Sequence, residues 1–427
     1  MAVYIDANSV QFSNTTFYNN QNIIDVDLRN TAWTNNSMVN AFSNCNNLQR
    51  VTNINNSVTD MTDTFMRCFN LVDAPVIPNS VTNMFQTFEF CRNLVNAPEI
   101  PNSVTDMRRT FSNCSKLTNI PVIPNSVVNM DSTFVFCSSL VNAPVIPNSV
   151  TSMSHTFISC SNLKNISTIS ESVVNMVGTF QGCANLVNAP VIPNLVTNMM
   201  NTFYGCVNLV NISEIPNSVI NMTRTFGVCS KLVNAPEIPN SVTDMTQTFI
   251  ACINLVNAPT IPNSVTNMYG TFYSCGNLVN ISVISNSVID MYSTFFSCSN
   301  LVSAPIIPNS VINMYQTFGD CHNLAGNIYI YSNQIINALY SFSGNLNKNV
   351  YIPFKYENAE YTQTYNSFIN AGYSTTTRKD GALLFDINRK VLNVDGFTYT
   401  KTSNNDITLQ TYTGGNTAVV IPNLEEI

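Results

Sequence analysis

The sequence predicts an α/β solenoid, a coil of 23-residue units with a parallel β ladder and short helical turns, followed by a small β-rich C-terminal module. Two observations carry this expectation. All thirteen cysteines fall on one grid, from Cys45 and Cys68 to Cys321, at intervals of 23 residues. A methionine series from Met38 to Met314 and a phenylalanine series from Phe42 to Phe318 keep the same interval. Aromatic and aliphatic residues at fixed places of a strict period mark stacked coils, in which each unit buries its apolar side against its neighbours.

The elements follow in chain order. Residues 1–37 form an N-terminal cap containing a degenerate unit, "TTFYNNQNI" at 15–23, with Asn20 in the cysteine place and Ile23 in the leucine place. Residues 38–324 hold thirteen repeats of the form L-V-N-A-P-x-I-P-N-S-V-T-N-M-x-x-T-F-x-x-C-x-N. In each, "NSVTNM" is rich in β-branched residues and free of proline, so the main parallel ladder is expected there. The "LVNAPxIP" stretch is extended, but its prolines cannot donate ladder hydrogen bonds. Its Ala or Ile, as in Ala97 and Ile120, is expected to face inward beside Leu94 and Leu117. "TFxxC" reads as one helical or 3₁₀ turn. Coils stacked at about 4.8 Å would make a rod on the order of 60 Å long. Residues 325–352 contain a degenerate unit, "NALYSFSGNL" at 337–346, that lacks the cysteine. Residues 353–427 leave the grid. "TYNSFINAGYSTTTRKDGALLFDI" and the segment after it read as short strands between Gly, Asn and Asp turns, a cap or an attachment module, and the closing "VVIPN" at 419–423 echoes the repeat.

Composition narrows the function. Charged residues are 10% of the chain, against about 25% in an ordinary domain, so Asn, Ser and Thr must supply solubility. A net charge of −7 without a run of Lys or Arg excludes nucleic acid as a partner. The N-terminus "MAVYIDANSV" has neither a basic nor an apolar signal region, and nothing approaches 18 consecutive apolar residues, so neither a secretion signal nor membrane insertion is expected.

Leu, Val, Met, Phe and Cys become five interior columns. The cysteines are expected as a reduced column, since free cysteine packs as a small hydrophobe. Bridging between rungs is the first alternative, weakened by an odd count and parallel Cβ vectors. A metal site is the second, weakened by the lack of CxxC or Cys/His pairs, with His155 and His322 the sole histidines. No metal or cofactor is expected, and no catalytic residue. Glu99, Glu214 and Glu237 share the sixth place of different units and read as a solvated face. Ligand contacts must then use the variable places, the two residues after Met and the two after Phe. Late in the repeat these become aromatic, at Tyr269, Tyr273, Tyr292, Phe296 and Tyr315, a candidate stripe for sugar rings or a protein partner.

The segment "IPNSVTDMRRTFSNCSKL" at 100–117 resembles the BspA-like leucine-rich repeats of bacterial surface proteins, through its proline, its valine and "F-x-x-C-x-x-L". The resemblance covers roughly residues 36–324. One residue more separates leucine from valine than in the usual pattern, and Met stands where Ile is common. The "NM-x-x-T-F" half is similar to Asn- and Met-containing surface repeats also found in mycoplasma-like and phage-encoded proteins. The resemblance implies a leucine-rich-repeat-like right-handed coil that serves adhesion or ligand recognition outside the cell, without catalysis. Absence of a signal peptide and thirteen reduced thiols favour a phage virion appendage, a tail or head fibre on the virion surface. It would recognise a host surface glycan or protein, and its C-terminal module would meet other virion or surface proteins. The alternatives are a structural rod of a virion, a bacterial cell-surface adhesin and an intracellular scaffold.

Overall fold

A computed structural model describes residues 2–4, 11–29, 31–281, 283–325, 327–344, 349–352 and 362–371, together with the segments 374–377, 383–386, 390–394, 397–401 and 407–412. Two compact units divide the chain, Met1–Leu232 and Val233–Ile427.

The first unit opens with five short strands, β1 (Ala2–Tyr4), β2 (Gln11–Phe12), β3 (Asp25–Asp27), β4 (Ala32–Trp33) and β5 (Arg50–Thr52). All pair in parallel, in the orders β1-β3-β5 and β2-β4. Their aromatic rings close the end of the core. Phe12 meets Phe17 and Trp33 with centroids 5.6 and 5.5 Å away, and Phe17 stacks on Phe42 at 4.9 Å. A solenoid's terminal coil must cover apolar surface that an inner coil leaves to its neighbour, and these rings do so.

Beyond β5 the expected ladder on "NSVTNM" contracts to a single bridged residue per coil. The residue before methionine pairs in parallel from Asp60 through Asn83, Asp106, Asn129, Ser152, Asn175 and Asn198 to Asn221. The cause is the asparagine or aspartate itself. Its side-chain oxygen accepts the N–H two residues on, as in Phe85 to Asn83 Oδ1 at 3.0 Å and Asp131 to Asn129 Oδ1 at 2.8 Å. This Asx turn diverts the backbone out of the strand. A second bridged column, Asp73, Asn96 and Asn119, lies in "LVNAP", where the proline two residues on cannot donate to a longer ladder.

"TFxxC" is neither α nor 3₁₀ helix. From Met61 to Leu71, alternate amides take different routes. Met61, Asp63, Phe65 and Arg67 donate to Asn83, Phe85, Thr87 and Glu89 of the next coil at 2.7–3.0 Å. Thr64, Met66, Cys68 and Leu71 donate three residues back within their own coil at 3.0–3.2 Å. The alternation needs a left-handed residue two places after each Met and each Phe, such as Asp63 (φ 53°) and Arg67 (φ 60°). Non-glycine residues seldom adopt this conformation. Here the bonds to the neighbouring coil hold it.

The five interior columns are present, and Leu, Val, Met, Phe and Cys of the inner coils have no solvent exposure. Two further columns join them. The isoleucine of "xIP", Ile77 to Ile215 in this unit, is buried, whereas Ala97 and Ile120, expected inward, are half-exposed. The threonine before phenylalanine is also fully buried, and its hydroxyl ties coils together: Thr110 Oγ1 lies 2.8 Å from both Met84 O and Met107 O. Phenylalanines from Phe42 to Phe226 stack with centroids 5.4–5.8 Å apart. All thirteen cysteines are buried, reduced thiols. Each thiol is more than filler: Cys137 Sγ donates to Phe111 O of the preceding coil at 3.1 Å, and Cys160 to Phe134 O at 3.0 Å. The asparagine content has a structural use as well. Carboxamides of adjacent coils bond to each other, Asn119 to Asn96 at 2.6 Å and Asn211 to Asn188 at 2.6 Å, the side-chain ladder that stacked identical segments permit.

The second unit repeats this coil through Leu324. It continues in β6 (Asn327–Tyr329), β7 (Asn349–Ile352), β8 (Ser374–Thr377) and β9 (Leu383–Asp386), a sheet of order β6-β7-β9-β8 in which β6 and β7 are parallel. Strands β10 (Lys390–Val394), β11 (Phe397–Lys401) and β12 (Ile407–Tyr412) form an antiparallel meander. "TYNSFIN" is not a strand but the helix α1 (Thr362–Asn370). Thr364, Ser367 and Phe368 recur at helical spacing and are buried. Phe368 stacks on Phe342 at 6.2 Å, and Thr364 Oγ1 accepts from Ile335 N–H at 3.1 Å and donates to Ser332 O at 3.0 Å. The helix thereby covers the degenerate last repeat. The "VVIPN" echo at 419–423 lies outside the described residues.

Candidate aromatic recognition surface

The aromatic places after methionine are set by the local turn. Tyr269, Tyr292 and Tyr315 donate their N–H groups to Asn267, Asp290 and Asn313 Oδ1 at 2.9, 2.8 and 3.1 Å. The next residue is left-handed in each coil: Gly270, Ser293 and Gln316 have φ 56°, 50° and 53°. The same turn in three coils aims the rings alike. Tyr269 and Tyr292 have centroids 4.8 Å apart at 24°, and Tyr292 and Tyr315 4.7 Å apart at 20°. All three are half-buried. Burial, then the neighbouring Tyr269 and Tyr315 hydroxyls and the Asp290 carboxylate, raises the Tyr292 phenol above its ordinary range. Burial also raises the Asp290 carboxyl, against the lowering effect of hydrogen bonds from Tyr292 N–H and Asn313.

The first place after phenylalanine makes a second row. Tyr273 and Phe296 stack at 5.1 Å and 18°. Phe296 lies over Gly319, where a Cβ would stand 2.7 Å from its Cδ2, so the missing side chain seats the ring. The structure thus assembles Tyr269, Tyr292 and Tyr315 in one row and Tyr273 with Phe296 in another. Tyr340 sits one place further on, at the left-handed place of Gln316, because Leu339 takes the place of Tyr315 in the last unit, and it meets Tyr315 edge-on at 5.8 Å and 86°. A residue-by-residue search for aromatics after the degenerate "NAL" would have found it.

Such rows offer flat apolar faces with hydroxyl edges, suited to stacking and hydrogen bonding. The other candidates are less organised. Glu99, Glu214 and Glu237 are exposed. His155 Nδ1 lies 3.0 Å from Ser154 Oγ, and His322 Nδ1 3.1 Å from Gly344 O. Among the described residues, no cluster of His, Cys, Asp or Glu is placed to hold a metal ion. Nor is any helix among them long and apolar enough to cross a membrane. Clefts lie between successive proline-bearing segments, one lined by Pro75, Val76, Pro98 and Glu99.

A stack of repeats whose constant places are buried and whose variable places carry surface chemistry defines a leucine-rich-repeat solenoid. The profile of the BspA type Leucine rich repeat region matches residues 2–95, 85–208, 176–270 and 260–369, and the chain belongs to that family. A leucine-rich repeat protein from Bacteroides ovatus shares the fold, with 24% identity, a TM-score of 0.56, and coverage of 69% of this chain and 76% of the other. A leucine rich cell surface protein from Faecalibacterium prausnitzii matches with 26% identity, a TM-score of 0.47, and coverage of 68% and 81%. No curated protein matches.

Proposed function

We propose that the chain is a non-enzymatic recognition protein of a bacterial cell surface, holding a surface glycan or protein against Tyr269, Tyr292 and Tyr315, with Tyr273 and Phe296 beside them. The three-tyrosine stack carries this reading. Half-exposed rings at 4.7–4.8 Å in successive coils form a rigid platform whose ordering cost is met in the fold itself. Membership of the BspA-type family supports the surface setting. The virion appendage has no support from the family match, and the cell-surface alternative takes its place. Partners of the C-terminal module belong to the proposal at one remove, because α1 already spends its buried face on Phe342.

Replacing Tyr269, Tyr292 and Tyr315 together by Ala tests the reading. Binding to an array of host glycans and extracellular proteins should fall by about tenfold or more, with the circular dichroism spectrum unchanged. Binding equal to that of the parent chain would remove the stripe from recognition.

A further inference from the structure

Cations in this chain are concentrated. Residues 233–324 contain no lysine or arginine, whereas Arg67, Arg92, Arg108 and Arg109 fall in three successive coils of the first unit. Arg108 is paired with Asp106 at 2.6 Å and Arg109 with Glu89 at 2.7 Å. Arg67 and Arg92 differ. Both are exposed, and neither has a carboxylate in ion-pair range among the described residues. Both lie over one ring, with guanidinium carbons 5.8 and 5.9 Å from the centroid of Phe90, and Arg92 is also 5.0 Å from that of Phe69. Like charges sharing a ring repel, and the ring face holds each guanidinium plane while leaving its N–H edge to a ligand. An anion between the two would cancel the repulsion and accept a forked pair of hydrogen bonds.

We propose that Arg67, Phe90 and Arg92 form a binding site for an anionic glycan, a sugar chain bearing carboxylate or sulfate groups. A glycan fits better than an acidic peptide strand. A peptide would pair with free backbone edges, and here the amides of Asp63, Phe65 and Arg67 already bond to the next coil. The half-exposed Phe69 and Phe90 rings supply the apolar surface that sugar faces take up. The site is separate in residues and in charge from the tyrosine stripe, so either can fail without the other.

The test is binding of the full chain to polygalacturonate and to heparin, with neutral dextran and poly-glutamate alongside. The expected result is salt-sensitive binding to one or both anionic glycans, and none to dextran. R67Q/R92Q should weaken it at least about tenfold, and K164Q/K231Q, which removes the same charge from exposed lysines elsewhere in the unit, should leave it unchanged. Carboxylate and sulfate sources are told apart by which polymer binds. No binding to either polymer, equal loss in both double variants, or tighter binding to poly-glutamate would overturn the proposal.

Discussion

Phe157→Ala is a stringent perturbation of the coil. The ring is fully buried and stacks on Phe134 at 5.5 Å and 9° and on Phe180 at 5.7 Å and 1°. Truncating a buried Phe costs about 3–5 kcal/mol, including the cavity it leaves. Two stacked contacts at about 0.5–1.5 kcal/mol each account for about 1–3 of that. Phe157→Leu, which keeps most of the volume and loses both stacks, should therefore cost about 1–3 kcal/mol. Because each coil touches mainly its neighbours, the loss is local. Hydrogen exchange read by mass spectrometry should show amides of the coils from Phe134 to Phe180 exchanging roughly 100- to 4000-fold faster, at about tenfold per 1.4 kcal/mol. Exchange that rises evenly over residues 1–232, or by less than about tenfold around Phe157, would refute nearest-neighbour stacking as the source of stability. Equal costs for the Ala and Leu variants would refute the division between volume and stacking.

Two further outcomes follow from buried polar groups. Burial pushes the thiols of Cys45 and Cys206 up to about 11 and about 12, while in the unfolded chain they titrate near about 8.5. The native state then keeps protons that the unfolded state releases, so this stability is complete below about pH 8.5 and falls as pH rises toward the native values. A urea midpoint that drops from pH 8 to pH 10.5 is expected, and a flat or rising one would contradict it. Thr110→Val keeps the shape and removes the hydroxyl, while Met84 O and Met107 O retain the amides of Thr87 and Thr110 at 3.1 Å. A loss of about 1 kcal/mol in urea unfolding is expected, and about 3 or more would mean that the carbonyls depend on the hydroxyl.

The division of labour in the coil explains how such a surface can change. The residue after methionine is Phe85 in one coil, Arg108 in the next and Tyr269 much later, yet each receives the same Asx turn, with Asn83, Asp106 and Asn267 accepting the N–H at 2.9–3.0 Å. The backbone is fixed by residues that do not face the ligand. Side chains at the variable place are free to differ because nothing in the core depends on them.

Much of this was legible in the sequence because burial repeats every 23 residues. The places held by Met, Phe and Cys in thirteen coils face inward, so those columns, the flanking degenerate units and the adjacency of Tyr269, Tyr292 and Tyr315 follow from register, whereas the Ala or Ile place of Ala97 and Ile120 is equally periodic and stays half-exposed. The tertiary structure decided what register cannot carry. Asn83 could have continued a strand or turned it, and the choice fell to its own side chain capping Phe85. Asp63 and Arg67 could have been helical, and the bonds from their amides to the next coil made them left-handed. Recurrent glycine at those places, Gly178, Gly182, Gly205 and Gly270, was the local trace of that backbone. It is diluted by Arg, Gln and Ser, which pay the left-handed strain because a partner carbonyl 22 residues away is waiting. Helix α1 was hidden for the same reason, since its buried face of Thr364, Ser367 and Phe368 is mostly polar by residue type and becomes interior through the last coil it covers. Met, Phe or Cys at a periodic place determines that the residue is inside; the sign of a backbone angle is settled by contacts between coils.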